Sequence, residues 1–177
     1  MGRRRRERRD DRRDGGGGGA NRYQMREKLV SIGDDFWIEN AAGHKTFKVD
    51  GKALRVRDTL KFKDAHGKEL CQIQEKKVRI KDTMNIESPS GDTLATVKKA
   101  LITPVRDRWT IKVGNGPDLE IKGNIVDHEY KIEDGRTKVA EVSKKWFRVR
   151  DSYGVDIAPG QNDILILAAT VAIDMMR

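Results

Sequence analysis

The chain has 177 residues, of which 37% are charged and 36% hydrophobic, and its formal net charge is +9. This size and composition favour one globular domain with a charged surface and anionic partners, namely nucleic acid, an acidic lipid surface or an acidic protein. The single cysteine, Cys71, excludes an intrachain disulfide and a cysteine-rich zinc site. It suits a reducing compartment, so we expect a cytoplasmic protein.

The first segment is of low complexity. Residues 1–14 contain eight arginines and four acidic residues, and residues 15–19 are all glycine. No apolar stretch follows the arginines, which argues against a secretory signal. A run of five glycines is costly to order, so we expect residues 1–21 to form a disordered tail and linker, and residues 22–177 to form the domain.

From there the hydrophobic pattern has a period of two and recurs in a longer repeat. Each repeat opens with two inward apolar residues, reaches a glycine after about seven positions, and continues into a second alternating strand, which is typical of a β-hairpin. The apolar pairs of the opening strands are Phe36 and Ile38, Leu60 and Phe62, Met84 and Ile86, Trp109 and Ile111, and Tyr130 and Ile132. The glycines are Gly43, Gly67, Gly91, Gly116 and Gly135, and the second strands carry Phe47 and Val49, Cys71 and Ile73, Ala95 and Val97, and Ala140 and Val142.

Further strand-like sequence precedes and follows the repeats, at Met25–Ile32 and Trp146–Ile157. About twelve short antiparallel strands result, and their edges must be hidden by closure into a barrel or by a two-layer sandwich.

The C-terminal segment breaks this period. Pro159 and Gly160 end the last strand, Asn162 or Asp163 is a suitable helix cap, and Ile164–Ile173 contains one polar residue. A helix that is apolar on all sides must be buried on all sides, and ten residues are too few to cross a bilayer, which needs about 20. We therefore predict a mainly β protein, an antiparallel closed barrel around a buried hydrophobic helix at about residues 162–176.

Three kinds of motif support this architecture: a D-x-x-G hairpin turn, a basic strand motif that occurs three times, and the apolar run near the C-terminus. They stand at Asp64–Gly67; at Leu54–Thr59 (LRVRDT), Val78–Thr83 (VRIKDT) and Phe147–Ser152 (FRVRDS); and at Asp163–Asp174 (DILILAATVAID). In these motifs the chain resembles the LURP-one-related family over residues 23–177. The fold of that family is similar to the tubby C-terminal domain and, more distantly, to the phospholipid scramblases. Because tubby domains bind phosphoinositides through basic residues on the barrel surface, the resemblance implies docking to acidic lipid.

Basic residues are the candidate binding site. Residues spaced by two on a strand project from the same face, whereas others lie at strand ends or in the tail. The pairs are Arg55 and Arg57, Lys61 and Lys63, Arg79 and Lys81, and Arg148 and Arg150; those at strand ends are Lys76, Lys77, Lys144 and Lys145; those in the tail are Arg3, Arg4, Arg5 and Arg6. The alternative interpretation is a solvated surface that keeps the sheet soluble.

The remaining candidates favour structural roles. His44, His66 and His128 lie in or near turns, and we expect solvated loop residues rather than ligands or bases. Cys71 is expected to face the helix, Trp109 to lie in the core, and Trp37 to face outward, where it could contact a partner. No catalytic residue, metal ligand or cofactor is predicted.

The function predicted from sequence is a non-enzymatic binding or scaffold module. It docks to anionic, phosphoinositide-like membrane surfaces through basic outer strands and the arginine-rich tail. We expect a monomer without a transmembrane segment, cytoplasmic and peripheral at the inner membrane surface. The alternatives are a module that binds nucleic acid or an acidic protein, and a small-ligand carrier or enzyme with a pocket at a barrel mouth.

Overall fold

The architecture was determined from a computed structural model that describes residues 19–26, 35–51, 59–76, 83–103, 106–147 and 150–177. Twelve strands and one α-helix follow one another in these ranges. The strands are β1 (Asn21–Arg26), β2 (Phe36–Asn40), β3 (Lys45–Asp50), β4 (Thr59–Asp64), β5 (Glu69–Glu75), β6 (Thr83–Glu87), β7 (Thr93–Thr103), β8 (Arg106–Val113), β9 (Leu119–Asn124), β10 (Glu129–Asp134), β11 (Thr137–Ser143) and β12 (Ser152–Ile157). The helix α1 spans Asp163–Met176.

The strands form a closed antiparallel barrel in which each pairs with its neighbour in sequence. Strand β12 closes it by pairing with β1, with Asn21 opposite Ile157 and Arg26 opposite Ser152. Closure leaves no free sheet edge, which is how such a barrel avoids pairing with other chains. The predicted fold class, a closed twelve-stranded barrel with a C-terminal helix, is confirmed.

Inward and outward residues alternate as the period of two predicts. All ten apolar residues of the opening strands are buried, as are Cys71, Ile73, Ala95, Val97, Ala140 and Val142 of the second strands. Phe47 differs, since it is partly buried and packs against Tyr23 and Phe62 with ring centroids 5.8 and 5.4 Å away.

Helix α1 fills the lumen. Asn162 caps it, with Oδ1 accepting a hydrogen bond of 3.1 Å from the amide of Leu165, and the residues from Ile166 to Ile173 are buried. Three alanines among them, Ala168, Ala169 and Ala172, keep the rod thin enough for the wall to close around it. The buried Thr170 hydroxyl donates to the carbonyl of Ile166 at 2.9 Å, so its donor is satisfied.

The segment predicted as strand-like at Trp146–Ile157 is only partly a strand. Lys144–Trp146 forms a 3-10 turn, for which the Ser143 side chain accepts from the Lys145 amide. Strand β12 begins at Ser152, after Asp151, which adopts a φ of +58°. Met25 lies in β1, and residues 27–32 are outside the described ranges.

The barrel has two ends, named here by the helix: the upper end, where α1 begins, and the lower end, where α1 finishes. Because the strands alternate in direction, every second connection lies at the same end. The upper end carries the turns 41–44, 65–68, 88–92, 114–118, 135–136 and 158–162. The lower end carries the connections between β1 and β2, β3 and β4, β5 and β6, β7 and β8, β9 and β10, and β11 and β12.

Candidate functional site

Two of the predicted binding residues, Lys61 and Lys63, lie on the outer wall and are paired with carboxylates. Lys61 Nζ lies 2.7 Å from Glu69 Oε2, and Lys63 Nζ lies 2.7 Å from Asp50 Oδ2. Such exposed or half-exposed pairs contribute about 1 kcal/mol or less to stability. They do cancel the local positive charge, so these two lysines are poorly suited to attract an anion.

The same pattern continues along the wall, where many basic residues lie within 4 Å of an acidic one on a neighbouring strand, next to a strand end or on the same strand. The pairs include Arg22 with Asp156, Lys48 with Asp35, Arg108 with Glu120, Lys112 with Asp118, Lys122 with Glu133, and Lys138 with Glu141. The described part of the wall is therefore a charge-balanced surface rather than a basic face.

The other described candidates, Lys76, Lys144, Lys145 and Arg150, all lie at the lower end. Lys76 follows β5, and Lys144 and Lys145 follow β11 in the 3-10 turn. The Lys145 side chain is 82% exposed, and its Nζ is 3.9 Å from Glu129 Oε2. The remaining candidates lie outside the described residues: Arg55, Arg57, Lys77, Arg79, Lys81, Arg148, Arg3, Arg4, Arg5 and Arg6.

His128 corrects a prediction, because it is not a solvated loop residue. It ends the turn between β9 and β10 with a φ of +53°, and it is 0% exposed. Its ring stacks on Tyr153 at 4.1 Å between centroids, and its Nε2 lies 3.0 Å from Asp174 Oδ1. The partners that bury it are far away in sequence, on α1 and β12. His44 and His66 are exposed in upper-end turns, as predicted.

Asp174 is the centre of this buried lower-end network. Its side chain is 2% exposed, and its Oδ2 accepts from the Tyr153 hydroxyl at 2.5 Å. Arg177 Nη1 lies 3.4 Å from His128 Nδ1. A guanidinium can only donate, so Nδ1 accepts from it and Nε2 carries the proton that is donated to Asp174. The four side chains thus satisfy one another.

Two tyrosines at this network remain protonated far into the alkaline range. Burial, followed by the charge of Asp174, raises the pKa of Tyr153 and of Tyr130 well above the ordinary value. The Tyr130 hydroxyl is buried beside Thr170 and makes no hydrogen bond of regular geometry with the described residues.

A smaller polar contact holds the upper end of the helix. The Tyr23 hydroxyl and Asn21 Nδ2 both donate to Asp163 Oδ2, at 2.6 and 2.7 Å. Burial and the hydrogen bond to Asp163 raise the pKa of Tyr23. The helix is therefore tied to the wall by an aspartate–tyrosine hydrogen bond at each end.

A groove of about 330 Å³ opens at the upper end beside the start of α1. Apolar side chains line it, with Leu70, Ile86, Leu94 and Val113 on the strands and Leu165 on the helix, together with the polar residues Thr93, Asn115 and Asn162. Cys71 also borders it, and the thiol is buried as predicted. Burial, followed by the charge of Glu69, raises the pKa of Cys71 to about 12, so the thiol is protonated at neutral pH.

Trp109 and Trp37 lie on the faces of the barrel wall that the alternation along their strands predicts. Trp109 is 4% exposed and belongs to the core. Trp37 is on the outer wall, half-buried, with Lys45 Nζ and Lys48 Nζ at 5.2 and 5.9 Å from its ring. These lysines cover the ring, which leaves less of it for a partner.

Among the described residues, no group of three or more histidine, cysteine, aspartate or glutamate side chains is arranged to hold a metal ion. No helix in the described ranges has the length and apolar character required to cross a membrane.

Comparison with known proteins gives consistent results. A family model described as LURP-one-related matches residues 21–174. A protein of Bacillus subtilis (strain 168), named "Uncharacterized protein YxjI", is 31% identical over 152 residues, which cover 86% of this chain and 91% of the relative. The X-ray structure of an Arabidopsis thaliana protein superposes with a TM-score of 0.65 at 19% identity, covering 89% of this chain and 91% of that one. At this identity the structural likeness supports the fold alone.

Proposed function

The chain belongs to the LURP-one-related family, and we propose that it is a non-enzymatic docking module whose lower end binds acidic lipid at a membrane surface. The wall of the barrel is charge-balanced and the lumen is filled by α1. The ends are therefore the surfaces on which binding can be built.

The observation that carries the proposal is the segregation of basic segments by the strand order. The segments 52–58, 76–82 and 144–151 carry three, four and four basic residues, each against one acidic residue. The described residues that flank them, such as Gly51 and Thr59, lie at the lower end. The described residues on both sides of these three basic segments thus lie at one end of the barrel.

The balance of charge differs between the two ends. The lower-end connections together hold twelve basic and seven acidic residues, whereas the upper-end turns hold two of each. A basic residue close to an acidic membrane contributes about 1 kcal/mol, so an excess of this size can hold a peripheral protein. The upper-end turns offer no comparable attraction.

Acidic lipid is favoured over nucleic acid by the nature of the exposed side chains. Proteins that bind single strands without sequence preference stack bases on exposed aromatic rings. Among the described residues the exposed large apolar side chains are Leu94 and Val126, and neither is aromatic.

The arginine-rich tail is a separate element in this proposal. Strand β1 begins at Asn21, next to Asp163, so the chain enters the barrel at the upper end. The lower end is the principal binding surface, and the tail that contains Arg3–Arg6 joins the barrel on the opposite side. Deleting residues 1–18 should therefore reduce lipid binding less than neutralising the lower end.

The test is co-sedimentation with vesicles of equal parts phosphatidylcholine and phosphatidylserine. The test variant replaces three exposed lower-end residues, Lys76, Lys145 and Arg150, with glutamine. At about 1 kcal/mol for each cation, its affinity should fall roughly a hundredfold. The control variant removes the same charge elsewhere, at Lys61, Lys63 and Lys68, and should bind nearly as the parent does.

Equal recovery of the parent protein on neutral and acidic vesicles would refute the proposal, as would a control variant that loses as much affinity as the test variant. Binding to an oligonucleotide that weakens steeply with salt, without binding to vesicles, would favour nucleic acid instead.

The upper-end groove supports a second candidate function, the carriage of a small apolar ligand. Its volume of about 330 Å³ is at the lower limit of small-molecule sites, and leucine, isoleucine and valine side chains line it beside polar groups. Uptake of the dye nile red, and its displacement by fatty acids, would test this function. The Leu94→Trp variant partly fills the groove and should lower uptake, whereas Val126→Ala at the lower end should not.

A further inference from the structure

The turn between β9 and β10 presents an apolar side chain at the lower end. Val126 is 71% exposed, and the other exposed large apolar residue of the described chain, Leu94, is 40% exposed at the upper end. A single exposed valine is common on proteins, so its surroundings decide whether it has a role.

Hydrogen bonds and packing hold the turn that carries Val126. Asn124 and Asp127 bind each other twice: Asn124 Oδ1 accepts from the Asp127 amide at 3.1 Å, and Asn124 Nδ2 donates to Asp127 Oδ2 at 2.7 Å. Arg177 Nη1 donates to the Val126 carbonyl at 2.9 Å. Val126 and Asp127 form the exposed tip of the turn. On either side of the tip, Ile125 packs against the core and His128 is fully buried.

The buried network therefore anchors the turn at the base of its exposed tip. His128 directly follows the tip and is held by Tyr153 and Asp174. A turn that is fixed at its base and across its middle loses little conformational entropy when its tip contacts a partner.

Cations and carboxylates both lie beside this tip: Arg177 Nε is 3.7 Å from Asp174 Oδ1, and the 82% exposed Lys145 has its Nζ 3.9 Å from Glu129 Oε2. Arg177 contacts it directly, and Glu129, the residue after the turn, accepts from the Ser143 hydroxyl and the Lys144 amide. These bonds bring the 3-10 turn that carries Lys144 and Lys145 beside the tip. The nearest acidic residue on the tip, Asp127, is engaged with Asn124.

We propose that Val126 is the residue that enters the lipid layer, an inference that rests on the docking proposed above. The exposed cations beside the tip would meet the phosphates and carboxylates of acidic lipids. The valine next to them would lie at the boundary between headgroups and acyl chains, where apolar side chains gain from leaving water. The ligand is thus a bilayer surface of acidic glycerophospholipids, bound by charge and by one inserted apolar side chain.

The test attaches an environment-sensitive nitrobenzoxadiazole dye to Val126→Cys. Cys71 is buried with a raised pKa, so the dye should label the new thiol selectively. The matched control is Ala42→Cys, an exposed position in an upper-end turn. With vesicles of equal parts phosphatidylcholine and phosphatidylserine, we expect a blue shift and increased emission from the dye at 126 and none from the dye at 42.

Unlabelled variants provide a second measurement. Val126→Ala removes two carbon atoms from the inserted side chain and should lower vesicle affinity roughly fivefold to tenfold. Val126→Trp should raise it. Because the side chain is exposed, both variants should fold and melt as the parent does.

The outcomes separate the two proposals. If the labelled protein sediments with acidic vesicles but the dye at 126 does not shift, insertion is refuted and docking stands. If neither labelled protein sediments with acidic vesicles, the proposed function itself fails. An equal shift at both positions would also overturn the inference, because it would mean that the dye, and not the tip, drives contact with lipid.

Discussion

Replacing Asp174 with asparagine should destabilise the protein far more than an ordinary change at a helix end. Asp174 lies in the last turn of α1, where a carboxylate is disfavoured by the helix dipole. It is nevertheless buried, because Tyr153 and His128 donate to it at 2.5 and 3.0 Å and Arg177 Nε lies at 3.7 Å. An amide of the same shape keeps one acceptor oxygen but removes the charge that these donors face.

The expected change in the free energy of unfolding follows from opposing contributions. Removing one partner of a buried ionic contact costs about 3–5 kcal/mol. Relief from the helix dipole returns about 0.3–1 kcal/mol, and the remaining amide oxygen still accepts one bond. We therefore expect Asp174→Asn to lower the free energy of unfolding by about 2–4 kcal/mol. For a domain of this size the melting temperature should fall by about 5–15 °C.

The assay is urea unfolding followed by tryptophan fluorescence, with Asp163→Asn as the matched control. Asp163 also accepts from a tyrosine, Tyr23, at 2.6 Å, but it is only partly buried and lies at the favourable end of the dipole. Its replacement should cost about 1 kcal/mol. The double variant of Asp174→Asn with Tyr153→Phe should be less destabilised than the sum of the single variants. Equal costs at the two ends, or strict additivity, would refute the network described here.

Three further predictions test the core and one close backbone contact in the wall. The Cys71 thiol should resist Ellman's reagent at pH 8 until the protein unfolds, because its pKa is about 12. Stability should also fall as the pH rises from about 9, where an unfolded thiol ionises, towards 12; the Cys71→Ala variant should lack this component. Gly123→Ala should cost about 3 kcal/mol or more in urea unfolding, since φ is +130° and a Cβ would lie 2.5 Å from the Glu129 carbonyl oxygen. Gly43→Ala, with open space around it, should cost about 1–2 kcal/mol. Leu167→Asp places an unpaired charge at a position that is 0% exposed, so no cooperative unfolding transition should remain by circular dichroism.

The fold was predictable because its signals are local. Alternation at Phe36 and Ile38, or at Leu60 and Phe62, identifies a strand with one buried face without knowledge of its neighbours. The apolar run of α1 likewise requires an enclosing wall. The 3-10 turn at Lys144–Trp146 was missed because its apolar tryptophan continues the strand pattern, whereas Ser143 caps the turn through its side chain.

His128 could not be identified from sequence in the same way. It follows Asp127 in a segment that has the polar character of a turn, and a polar turn residue is normally solvated. Its burial depends on Asp174, which is 46 residues away. Only the closed barrel brings that residue of α1 against this turn.

The segregation of charge did have a sequence signal. In a barrel of sequential antiparallel strands, every second connection lies at the same end, so counting the strands predicts which basic segments share an end. The same register places Lys61 opposite Asp50 and Lys63 opposite Glu69, so it would have predicted that carboxylates neutralise both lysines, although the ion pairs form along the diagonals. To predict which basic residues share an end or meet a carboxylate, one needs the pairing of consecutive strands. The spacing of basic residues along one strand is not sufficient.

The two ends of the helix differ in a way that connects stability with the proposed docking. At the upper end the helix begins beside an open groove and is tied by one partly buried aspartate. At the lower end a buried charged network holds both the helix terminus and the turn that carries Val126. A carboxylate buried against the helix dipole is a costly way to secure a helix, and apolar packing would achieve it more cheaply. The network also fixes the position of the tip. A tip that is already ordered loses little conformational entropy when it contacts a membrane, and this would explain a polar network at the lower end. Asp174→Asn should therefore weaken vesicle binding even at temperatures where the variant is fully folded, whereas Asp163→Asn should leave it unchanged.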